Sequence, residues 1–205
     1  MRRGVGLTAA VLLGVGMLAG CGSDDASSSA SSAAVPSPSP TPTPAPVVWA
    51  DGVCVARDNL NAAVSALGRN LSYDVTSDRS ALEQIDRQLR VQVLSVGSAL
   101  QVLGTELQAV PVDFQQANDF VVTATKAKDD TSEAIATTQG HLDAMVSADS
   151  ILTGVAEAGQ ALVAGKAAFE AGTALVGVVR DGVSSANEEV QSAFDAAPAC
   201  QAEGS

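Results

Sequence analysis

From Ile151 to Ala193 the apolar and small residues recur at alternating spacings of four and three: Ile151, Val155, Ala158, Leu162, Gly165, Phe169, Gly172, Val176, Val179, Val183, Ala186, Val190 and Ala193. This is the stripe of an α-helix and not of a strand, whose faces alternate every second residue. A helix of that length with one apolar stripe must bury it against partners. The pattern therefore commits the chain to an all-α fold of packed helices.

Three further segments supply the partners. Val53, Ala56, Leu60, Val64, Leu67 and Leu71 predict a helix over 51–71, with Asp51 as its N-cap. Leu82, Ile85, Leu89, Val93, Val96, Leu100, Leu103, Leu107 and Val110 predict a second, with one slip between Leu89 and Val93 that would locally unwind a supercoil. Ser80 to Glu83 has capping-box spacing, and Pro111 ends that helix. On its wet face, Arg79–Glu83–Arg87 and Asp86–Arg90 lie four apart and can pair.

Asp113 with Gln116 is expected to open a third helix. Its seam is Phe114, Ala117, Val121, Ala124, Lys128, Thr131, Ile135, Thr138, Leu142 and Met145, with a possible break at Asp130–Glu133. Ser147 to Ser150 reads as a turn. Asp181-Gly182, followed by Ser185 and Glu188, suggests a kink in the fourth helix before Pro198 stops it. The fold expected is an antiparallel up-and-down bundle of about four long helices.

Candidate binding positions are few. Gly165 and Gly172 sit one heptad apart on the fourth seam, where each glycine costs roughly 1 kcal/mol of helix propensity. A neighbouring backbone, Phe114 or Phe120 could fill the space. Alternatively the notch is a ligand groove, with Lys128 as a cation for an acidic ligand. Otherwise Lys128 sets register or snorkels to water. His141 stands alone, and no GxSxG, HExxH, EF-hand loop or P-loop occurs. No catalytic residue, metal or cofactor is therefore expected. A non-enzymatic interaction protein is the first reading, a small-molecule binding module the second, and a hydrolase or transferase the third. Ala171–Val179 is uncharged but only nine residues long, so the fourth helix is not read as a membrane span.

The N-terminus carries an address. Met1-Arg2-Arg3 is cationic, Gly4 to Gly20 is uncharged and mostly apolar, and Leu18-Ala19-Gly20-Cys21 closes it. This resembles the lipobox of bacterial lipoproteins. The resemblance implies that residues 1–20 are a signal peptide and that the thiol of Cys21 receives a diacylglyceryl group. Cys21 becomes the first residue of a mature chain held on the extracytoplasmic face of the cell membrane. The folded domain resembles no named family.

Residues 21–46 then read as a lipidated, disordered tether. They offer little to bury, and proline at nearly every other position from Pro36 favours extended polyproline II. The folded domain is expected over 47–205. Removing Arg2 and Arg3 takes the net charge from −12 to −14, which disfavours nucleic acid and anionic head groups. Partners are instead the membrane, through Cys21, and an unidentified protein or cell-wall component. With Cys21 lipidated, Cys54 and Cys200 remain, and an oxidising compartment makes a disulfide between them the expectation. An even number of antiparallel helices brings the two ends of the domain together, as that bond requires.

Overall fold

The computed structural model describes residues 43–69, 71 and 79–201. The signal segment, Cys21, the tether up to residue 42 and residues 70, 72–78 and 202–205 lie outside the described residues. Four long helices form an antiparallel up-and-down bundle: α1 (Ala45–Arg69), α2 (Arg79–Gln108), α3 (Asn118–Val146) and α4 (Ile151–Ser185). A 3-10 turn at Gln115–Ala117 leads into α3, and two short helices, α5 (Glu188–Ala196) and α6 (Pro198–Gln201), close the chain. Each long helix packs on its neighbour in sequence, α4 returns to α1, and α3 against α4 is the most extensive pairing. One end of the bundle holds the start of α1, the α2–α3 connection, α5 and α6. The far end holds the end of α1, the start of α2 and the α3–α4 connection.

The first helix begins six residues earlier than expected, at Ala45 rather than residue 51. The amides of Val47 and Val48 donate to the carbonyl of Pro44 at 3.0 and 3.2 Å. Pro46 sits in the first turn, where a missing N–H costs nothing because that group has no intrahelical partner. The last two residues assigned to the tether are thus helical. Asp51 lies inside α1 and caps nothing there. Its carboxylate instead accepts a 2.7 Å hydrogen bond from the Ala199 amide, tying α6 to α1.

The entry to α3 also differs. The Phe114 amide donates to Pro111 and the Ala117 amide to Phe114, so backbone turns make the entry. No side chain caps α3, whose N-cap position is Ala117, and Asp113 does not do so. The helix continues unbroken through Asp130–Glu133. Thr131 and Thr138 are fully buried on its seam, and their hydroxyls donate to carbonyls four residues back at 2.8 and 2.9 Å. That local bond removes the cost of burying a hydroxyl. The fourth helix breaks at Ala186-Asn187, later than Gly182. The Asn187 side chain supplies the restart: its oxygen accepts from the Val190 amide at 3.0 Å.

Burial on α2 follows the expected stripe from Leu82 to Leu107. Burial on α4 does not. The inward residues are Gly154, Ala158, Ala161, Gly165, Ala168, Gly172, Leu175 and Val179, together with Ala164. Val155, Leu162, Phe169 and Val176 flank this line and are only partly buried. The spacing is as expected, but the centre of the seam is rotated onto the small side chains. The facing α3 seam is small as well, with Ala117, Ala124, Thr131 and Thr138. Small residues on both sides let two backbones approach closely.

Aromatic mass collects at the end that holds both chain termini of the domain. Trp49 meets Phe114, Phe120 and Phe194 edge-on, with ring centroids 5.8, 6.1 and 5.4 Å away. Its indole N–H donates to the Glu106 carbonyl at 2.9 Å, so the buried ring leaves no unpaired donor.

Candidate functional site

The disulfide expected from cysteine arithmetic is present. Cys54 on α1 and Cys200 on α6 are bonded, with Cα atoms 5.3 Å apart. Their meeting follows from topology: four antiparallel helices return the chain to the level at which α1 begins. The bond and the Asp51–Ala199 hydrogen bond together fasten the last residues of the domain to its first helix.

The three positions considered as a ligand groove do not form one. Gly172 receives Val64 of α1: a Cβ at that glycine would lie 2.6 Å from Val64 Cγ2. Gly165 receives Leu71 and Leu89, whose methyl carbons would stand 3.0 and 3.6 Å from such a Cβ. Both glycines are therefore sockets filled by apolar side chains of this same chain. Phe114 and Phe120 do not fill them. Those rings stand at the start of α3, level with the end of α4, and Phe120 lies against Gly182 instead.

Lys128 belongs to another interface. Its stem lies over Gly104 of α2, and its ammonium reaches out to Asp129 at 2.8 Å. The side chain is 21% exposed, so it snorkels rather than serving as a buried cation. It borders an open groove of about 380 Å³ between α2 and α3, lined also by Ser98, Gln101, Ser132 and Gln139.

A second cleft, of about 330 Å³, lies at the far end of the bundle. Leu82, Met145 and Gly154 form apolar lining, with Arg79, Arg87 and Ser147 among the polar groups. The sequence offered no signal for it, because it arises where the start of α2 meets the α3–α4 turn. Nearby, Arg90 bridges two helices: its guanidinium reaches Asp86 at 2.7 Å and Asp143 at 2.8 Å. Hydrogen bonding to Asp86, then to Asp143, raises the guanidinium pKa above its ordinary value. Of the expected surface pairs, Glu83 and Arg87 stand 3.9 Å apart, looser than Asp86 and Arg90.

His141 has a partner that the sequence did not reveal. Its Nδ1 lies 2.9 Å from Glu157 Oε2, across the α3–α4 interface. Arg57 is buried in α1, and its Nε and Nη2 donate to Asp58. Among the described residues no three His, Cys, Asp or Glu side chains gather to hold a metal ion. By length and composition α4 is apolar enough to cross a membrane, although one of its faces is the wall of the bundle described above. No protein-family model, no curated protein and no solved structure matches the chain.

Proposed function

We propose that this protein is a membrane-anchored extracytoplasmic lipoprotein whose helical bundle is a non-enzymatic interaction module of the cell envelope. The observation that carries the reading is the use of its three cysteines. Cys54 and Cys200 are joined to each other, and the third, Cys21, closes the LAGC motif. A disulfide between residues far apart in sequence suits an exported domain. A thiol directly after small residues and an uncharged apolar run suits lipid attachment. Acyl chains contribute about 0.8 kcal/mol per buried methylene, and two or more chains give stable anchoring where one is marginal.

Metabolic labelling with a fatty-acid probe tests this. The wild-type chain is expected to take up label and sediment with membranes, and Cys21→Ser to do neither. A Cys21→Ser chain that partitions with membranes as before would reject the anchor. A second reading, a solute-binding module, is favoured by the 330 Å³ far-end cleft, within the usual size range of ligand pockets. Thermal-shift screening of ligand sets against wild type and Ser147→Phe, which puts a large side chain at the exposed rim of that cleft, distinguishes the two readings.

A further inference from the structure

Among the described residues nothing packs on the outer face of α4, and the residues of that face point to a partner. Leu152 is 76% exposed and Val163 67% exposed, on a helix of which only a third of the most apolar stretch is buried. With Ala156, Gly159, Ala174 and Gly177 these residues form a line opposite the buried seam, again at spacings near three and four. A Cβ added at Gly159 or Gly177 would meet nothing within 4 Å. The charges breaking this face at its middle are Lys166 and Glu170, 3.7 Å apart and largely exposed.

Four residues of this line, Gly159, Lys166, Glu170 and Gly177, are symmetrically placed. The middle of α4 is residue 168, halfway between Ile151 and Ser185. Lys166 and Glu170 stand two residues either side of it, and Gly159 and Gly177 nine residues either side. A two-fold axis at that level, relating antiparallel copies of α4, sets Lys166 against Glu170 of the second copy, and Glu170 against its Lys166. It also sets Gly159 against Gly177, glycine to glycine, where backbones can come close. An isologous interface requires this reciprocity, in which residue i meets j and j meets i.

We propose that a second copy of this chain covers the face, through an antiparallel α4–α4 contact centred on residue 168. A bilayer is a poorer occupant, because the chain carries a net charge of −12 and anionic surfaces repel it. The contact does not depend on the lipid anchor.

The test uses the full chain purified in mild detergent. Gly159→Cys and Gly177→Cys variants are oxidised separately and as a mixture, with wild type as control for any thiol already free. The mixture is expected to yield a covalent dimer that neither variant forms alone. In the proposed pairing, like positions lie eighteen residues apart along the axis, about 27 Å. Like-with-like cross-links, or no cross-link in the mixture, would overturn the proposal. Sedimentation provides the second measurement. Lys166→Glu places like charges together and is expected to weaken the dimer by about tenfold or more, while Lys166→Glu with Glu170→Lys restores it. Both positions are exposed, so the circular dichroism of these variants should match wild type. A dimer indifferent to the single reversal would also refute the contact.

Discussion

In the dilute, monomeric chain, replacing Gly172 with alanine is expected to destabilise the bundle, whereas the same change at Gly177, five residues further along α4, is expected to stabilise it. Both substitutions gain about 1 kcal/mol of helix propensity. They differ in what the new methyl meets. At Gly177 nothing lies within 4 Å. At Gly172 the methyl would stand 2.6 Å from Cγ2 and 3.4 Å from Cγ1 of Val64, closer than packed carbons tolerate. Val64 cannot readily turn away, because a β-branched residue in a helix has one strongly preferred rotamer, and it is buried. Overpacking of this kind costs about 1–3 kcal/mol, and so close an approach belongs in the upper part of that range. The net effect at Gly172 is then a loss of about 1–2 kcal/mol. For a domain of this size the two variants should melt roughly 5–10 °C apart. Urea unfolding followed by circular dichroism measures both. Val64→Ala alone should cost about 2 kcal/mol. Combined with Gly172→Ala it should cost less than the sum, by about 1–2 kcal/mol, since the cramped contact is gone. If Gly172→Ala were as stable as Gly177→Ala, or the double variant strictly additive, the socket would not exist as described.

Three other outcomes follow from the same contacts. Reducing the Cys54–Cys200 bond, which closes a loop with a sequence separation of 146, should cost about 5 kcal/mol in the chain-entropy account, read as a lowered urea midpoint under reductant. Asn187→Ala should cost about 1 kcal/mol, because it removes the cap that restarts the chain as α5; a restoring Asn187→Asp or Asn187→Ser would separate capping from other roles. Lys128→Met should be neutral or slightly stabilising in thermal melts, since the stem packing over Gly104 is kept and the ammonium pairs only with the exposed Asp129; a loss above about 1 kcal/mol would show that its charge is needed.

The spacing of apolar residues was enough to establish helix type, helix number and antiparallel order. The disulfide was legible from the cysteine count and the expected compartment, and four helices that return the chain to its starting level agree with it. Spacing was a weaker guide to the rotation of a helix. On α4 the larger residues Val155, Leu162 and Phe169 attract attention, yet Ala158, Ala161, Gly165 and Ala168 occupy the centre, because contact distance rewards small side chains there. Helix ends were misplaced for a related reason. Proline at residue 46 reads as a breaker, but within a first turn it is compatible with the helix. Asp51 looks like a cap, and its capping capacity is used 148 residues away, at Ala199. The pairing of His141 with Glu157 and the far-end cleft depend on which faces meet, which no local pattern encodes.

The lipid on Cys21 is the claim on which the proposed location rests, and the mass of the mature N-terminal peptide measures it directly. A membrane fraction should yield a peptide that begins at Cys21 and carries the added mass of a diacylglyceryl group. A peptide that begins elsewhere, or an unmodified Cys21 in a chain that still sediments with membranes, would contradict the account.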